Sequence, residues 1–86
     1  MALKEDFEMA VAKSKELTQR PSNDELLNLY ALYKQGSEGD VTGERPGGFD
    51  FKGAAKFDAW KKLEGTSADD AMTQYIELVD QLHTKY

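Results

Sequence analysis

Cysteine is absent from the 86 residues, which excludes a disulfide framework, thiolate metal sites and a cysteine nucleophile. A reducing compartment is the resulting default. No apolar run approaches the roughly 20 residues that a membrane span needs, and Met1 to Asp6 lacks the basic-then-apolar order of a signal peptide. The expectation is a soluble, cytoplasmic chain without stable membrane insertion. Cations are the minority charge, 11 Lys and Arg against 16 Asp and Glu, for a net charge of −5. A nucleic-acid partner is therefore not expected, because affinity for a phosphate backbone comes from many cationic contacts. A small polyanion is a different case, since three or four lysines in one cleft can hold a few phosphates while the remaining surface stays acidic. At this length the chain should form one domain, 1–86, with a modest core that buries about 60–65% of the unfolded surface.

What is present begins with Leu26 to Gln35, where Tyr30, Tyr33 and Lys34 fall one helical turn apart on a leucine-rich segment. Positions three and four apart are neighbours on a helix, so two phenols and an ammonium can converge on one object. The segment starts at a capping box, Ser22 with Glu25, and Asp24 adds negative charge where the helix dipole favours it. Leu26, Leu29, Tyr30 and Tyr33 form its buried face, and Leu32 falls off that face, so it is expected to be exposed.

Before this segment, Phe7, Ala10, Val11, Ser14 and Leu17 recur at steps of three and four, predicting a helix over Leu3 to Gln19 that Pro21 stops. Lys15 falls about 40° from Val11 and borders the buried face. Gly36 to Asp50 carries five glycines and a proline and predicts a long ordered loop, with fixed turns around Glu44, Arg45, Pro46 and Gly47-Gly48. It should let two helices run parallel. Asp50 can cap a third helix ending at Leu63 or Glu64, just before Gly65. Phe51, Ala55, Ala59 and Leu63 occupy one apolar arc of it and Phe57 with Trp60 another, leaving mainly Ala54, Asp58 and Lys61 for water. Helices are expected to grip it from two sides. Lys52 and Lys56 point within about 20 to 60° of Ala59 and Leu63, towards the apolar side. Thr66 or Ser67 can cap a last helix whose docking face runs through Ala71 or Met72, Tyr75, Ile76, Val79 and Leu82 to Tyr86. Four helices and no strand candidate predict an all-α bundle.

The sequence carries no enzyme signature. The single histidine, His83, sits in the last turn of the last helix, where complementing the helix dipole explains it. The carboxylates belong to helix starts and solvated faces without metal-ligand spacing, and the loop glycines lack the strand and the Gly-Lys-Ser or Gly-Lys-Thr of a P-loop. What remains is a set of phenols and lysines from separate helices: Lys15, Tyr30, Tyr33, Lys34, Lys52 and Lys56, with Tyr75 as a possible addition. The set suits a nucleotide-bearing ligand held without reaction.

The chain also resembles the acyl-CoA-binding protein family along nearly its whole length. The resemblance is carried by Tyr-Ala-Leu-Tyr-Lys-Gln from Tyr30, Gly39-Asp40, Glu44-Arg45-Pro46-Gly47, Asp50-Phe51-Lys52-Gly53 and Ala55-Lys56. Asp58-Ala59-Trp60, Gly65-Thr66-Ser67, Asp70-Ala71-Met72 and Tyr75-Ile76 continue it in the same order. It implies a four-helix, up-down-down-up bundle that is no enzyme and needs no cofactor or metal. It further implies a monomer that binds medium- and long-chain acyl-CoA esters as carrier and pool former and meets acyl-CoA-using enzymes as partners. Position by position, it implies that Tyr33 stacks on the adenine and that Lys34 and Lys56 meet phosphates, with Lys56 at the ribose 3′-phosphate. Lys15, Tyr30, Lys52 and Tyr75 are implied to line the same site. Departures from the family pattern include Gly36 for alanine, Thr42-Gly43 for Asn-Thr, Gly48 for a larger apolar residue, Ala54 for lysine and Phe57 for tryptophan. The added glycines should lower stability, and a Gly48→Met change should restore some of it. A helical protein-interaction module using the Tyr30–Lys34 face is the alternative reading.

Overall fold

The computed structural model describes residues 3–86, in which four helices account for all the regular structure: α1 Leu3–Ser14, α2 Asn23–Glu38, α3 Phe51–Lys61 and α4 Ala68–Lys85. Their starts follow local side-chain chemistry. Ser22 Oγ accepts from the Glu25 amide while Glu25 Oε1 accepts from the Ser22 amide at 2.8 Å, closing the capping box of α2. Asp50 and Ser67 cap α3 and α4 by accepting from the amides of Gly53 and Asp70. At α3 the cap also explains the glycine, because a Cβ on Gly53 would stand 2.3 Å from Asp50 Oδ2.

Contacts between side chains fix the helix directions. Lys13 meets His83 and Phe7 meets Tyr75, so α1 and α4 run the same way. Glu25 bonds to Lys85 and Tyr86, while Gly36 lies against Met72, so α4 runs opposite to α2. Lys56 lies over Tyr30 and Lys34 over Trp60, which sets α3 parallel to α2. The result is an up-down-down-up bundle whose main core lies between α1, α2 and α4, around Phe7, Leu29, Tyr75, Val79 and Leu82.

Several expectations from the sequence change. The first helix stops at Ser14 rather than Gln19: the chain tightens into i→i−3 bonds from Lys15 and Glu16, and the Ser14 hydroxyl donates to the Val11 carbonyl at 2.6 Å. Lys15 thus sits just past α1, well before Pro21. The second helix runs through Gly36 to Glu38 and ends at Gly39, with φ 83°. Gly36 is buried within it, where a Cβ would press to 3.1 Å from Met72 Cγ. Leu32 is only 7% exposed. It is buried because α2 is covered from more than one side, by α4 and by α3.

The apolar arcs of α3 are also rearranged. Phe51 is 75% exposed and Ala54 is 7% exposed, the reverse of the pattern read from the sequence. The helix packs against α2 alone, so a single stripe containing Ala54 and Trp60 is covered and no second helix grips it. Lys52 and Lys56 are exposed. Gly48 lies at φ 64°, in the left-handed region that costs an L-residue about 1–2 kcal/mol, so a methionine there strains the loop instead of stabilising it.

A buried polar network joins α2 to α3 and the turn before α4. Gln35 is fully buried; its Nε2 donates to Asp40 Oδ1 and the Thr66 carbonyl, each at 2.8 Å, and its Oε1 accepts from Trp60 Nε1 at 3.1 Å. The indole N–H also donates to the Gly39 carbonyl, and Asp40 accepts the Gly65 amide at 2.9 Å. The Gly65 amide, followed by Gln35, holds the Asp40 carboxyl below its ordinary pKa. Further along the loop, Arg45 forks onto both oxygens of Asp58 at 2.9 and 3.0 Å, pinning the connection to α3.

Candidate functional site

The core positions the site from beneath. Burial of Tyr75 on α4 places its ring edge-on to Phe7 at 5.2 Å, and Phe7 in turn lies 5.9 Å from Tyr33 with the ring planes 25° apart. Tyr33 and Tyr75 are 6.4 Å apart. One face of Tyr33 is therefore covered by Phe7, while the residue as a whole remains 41% exposed. The buried Tyr75 hydroxyl donates to Ser14 Oγ at 3.2 Å, and burial raises its pKa, keeping the phenol neutral.

Above these rings lies a hollow of about 350 Å³ between the end of α1, the following turn, α2 and α4. Of the seven residues singled out from the sequence, Lys15, Tyr30, Tyr33 and Tyr75 line it. Lys56 reaches its edge across α3, with its ammonium 5.3 Å from the centroid of the Tyr30 ring. Lys34 and Lys52 do not line it. The Lys34 ammonium is turned to Glu38, one turn on, and lies 5.1 Å over the Trp60 ring. Its pKa is raised chiefly by the hydrogen bond to Glu38, with smaller contributions from Tyr30 and Tyr33, so it stays cationic. Lys52 is exposed in the first turn of α3, one turn before Lys56.

The apolar walls come from residues the sequence did not assign to a site: Val11, Leu26, Leu29 and Pro21, together with Ser14. Their signal was ordinary core periodicity, which does not separate a residue under a neighbouring helix from one under an open hollow. A cation-bordered hollow with aromatic planes and apolar walls can hold a flat ring, an anionic group and an alkyl segment together. His83 Nε2 donates to the Lys13 carbonyl at 2.8 Å and does not line the hollow.

Fold and site thus define a small helical ligand-binding protein. Comparisons with known proteins narrow the class. Residues 4–79 match the family model described as acyl CoA binding protein. An acyl-CoA-binding protein of Brassica napus is 57% identical over 82 residues, covering 95% of this chain and 89% of its own. One from Dictyostelium discoideum is 51% identical over 80 residues, covering 93% and 95%. The crystal structure of Oryza sativa acyl-CoA-binding protein 2 superposes with a TM-score of 0.92 at 47% identity, covering 96% of this chain and 92% of that one. The chain belongs to the acyl-CoA-binding protein family, a non-catalytic family.

Proposed function

We propose that this protein binds medium- and long-chain fatty acyl-CoA esters in the cytoplasm, as a monomeric carrier and buffer that exchanges its ligand with acyl-CoA-using enzymes. The observation that carries this reading is the convergence of Lys15, Tyr30, Tyr33 and Tyr75 on one apolar-walled hollow with the Lys56 ammonium at its edge. The adenine stacks on the open face of Tyr33, giving a Phe7–Tyr33–adenine stack. Lys56 meets the ribose 3′-phosphate, and Lys34 exchanges Glu38 for a phosphate oxygen. Lys15 and Lys52 add positive potential, and Tyr30 and Tyr75 complete the walls.

Binding energy for this task needs no catalytic group. An acyl chain gains about 0.8 kcal/mol per buried methylene, so about ten of them supply roughly 8 kcal/mol before ordering costs. That matches a micromolar dissociation constant. The head group then fixes orientation and excludes free fatty acids, which lack adenine and phosphates. Native mass spectrometry of protein purified from cells tests the reading. A carrier shows adducts at acyl-CoA masses that vary by acyl length; protein free of such adducts, and unable to take up added palmitoyl-CoA, contradicts it.

A further inference from the structure

Round α2, at 100° per residue, the residues facing the ligand hollow (Leu26, Leu29, Tyr30, Tyr33) centre about 160° from a second set, Asp24, Leu27, Asn28 and Ala31. The second set lines a larger trough of about 780 Å³. Its walls are Ala59 near the end of α3, Leu63 in the turn that follows, and Gln74 and Leu78 on α4. The trough is open because α3 packs on α2 without packing on α4. The small side chain of half-buried Ala59 leaves room for close approach, and Asp24 to Leu32 extends about 12 Å, the length of about two helical turns.

Charge distinguishes this side from the ligand side. Lys15 and Lys56 give the ligand hollow a cationic border. Across α2 the rim carries Asp24 and Glu77 against Lys62, with the amides of Asn28, Gln74 and Gln81 between them. Asp70, one turn before Gln74, extends the α4 edge with another carboxylate. Among the described residues, Lys62 is the one ammonium that lines this trough. Leu27, Ala59, Leu63 and Leu78, half-buried between edges with more carboxylates than ammoniums, complement an apolar stripe flanked by cations.

We propose that this trough receives an amphipathic helix of a protein partner, with basic residues beside its apolar stripe. Because the trough and the ligand hollow lie on opposite sides of α2, partner and ligand bind at the same time. The partner thereby meets the loaded carrier without covering the cargo.

The test uses the full chain, loaded with palmitoyl-CoA, and two synthetic helical peptides of about four turns that share one leucine–alanine stripe. One peptide carries lysines beside the stripe and the other glutamates. In amide NMR titrations the lysine peptide should saturably shift Asn28, Ala31, Ala59 and Leu78 and weaken with salt, while the glutamate peptide binds at least about tenfold more weakly. An Asp24→Lys/Glu77→Lys double variant should lose about tenfold or more for the lysine peptide and keep its palmitoyl-CoA affinity. Shifts centred on Lys15 and Tyr30, displacement of palmitoyl-CoA, equal affinity for both peptides, or an unaffected double variant would each overturn the proposal. So would a concentration-dependent dimer that protects the same four amides, which would give the trough to a second copy of this chain.

Discussion

Replacing Lys56 by alanine removes the ammonium that lies 5.3 Å from the Tyr30 ring at the border of the hollow. Two contributions are at stake, and they differ in size. The cation–π contact is exposed and worth about 0.5–1 kcal/mol, so the fold should lose little. A charge-assisted hydrogen bond to a phosphate contributes about 1.5–3 kcal/mol, or about 10- to 140-fold in the dissociation constant. Lys56 is exposed, and solvent screening places the expectation near the lower end, about tenfold. Calorimetric titration of palmitoyl-CoA at about 0.01 M and about 0.1 M salt, where the screening length falls from about 30 to about 10 Å, separates this from a packing effect. The variant should bind more weakly at both, with a flatter dependence on salt, and should melt close to the parent. Unchanged titrations at the two ionic strengths would refute the assignment of Lys56 to a phosphate. A large drop in melting temperature would refute its placement at an exposed edge.

Three further predictions concern the fold that holds the site. Gln35→Leu leaves the Thr66 carbonyl without its Gln35 donor and Asp40 with one donor fewer, so it should cost about 1–3 kcal/mol and lower the melting temperature by several degrees; a variant as stable as the parent would show the network to be dispensable. Gly48→Met should destabilise by about 1–2 kcal/mol in chemical denaturation because of the positive φ, and a gain in stability would contradict that geometry. Glu25 is lowered from 4.5 to about 2, first by the Tyr86 hydroxyl and then by the Ser22 amide and Lys85. A lowered folded-state pKa stabilises above the unfolded value, so its contribution is whole above about pH 4.5 and is lost as pH falls towards about 2. Thermal melts across that window should decline, and Glu25→Gln should lose part of the decline; identical acid profiles for parent and variant would exclude the latch between α2 and α4.

The helix starts were legible because capping is local: Ser22 with Glu25, Asp50 and Ser67 each announce an amide three residues away. Tyr30, Tyr33 and Tyr75 were legible as neighbours of one space because their helical periods place them on inward faces. The end of α1 was not, since the apolar stripe continues to Leu17, which packs on the core after the helix has already closed at Ser14. Leu32 and Ala54 were misplaced for a related reason. Periodicity reports which residues share a face, but how many neighbours a helix has is a property of the assembled bundle, in which α2 is covered from more than one side and α3 only by α2. Gln35 gave no sign of burial because a glutamine on a helix is ordinarily solvated, and its partners Trp60 and Thr66 lie 25 and 31 residues away. Lys34 and Glu38 had the spacing of a helical ion pair, so the turn of Lys34 away from the hollow could have been read in advance.

The proposed function requires one hollow to hold both the head group and the acyl chain of the same molecule. Side-by-side calorimetry of palmitoyl-CoA, free CoA and palmitate tests it most directly. Palmitoyl-CoA should bind one to one at micromolar affinity or better, with free CoA weaker by the missing chain and palmitate not measurably bound. Equal affinity for free CoA and palmitoyl-CoA, or strong binding of palmitate alone, would contradict it.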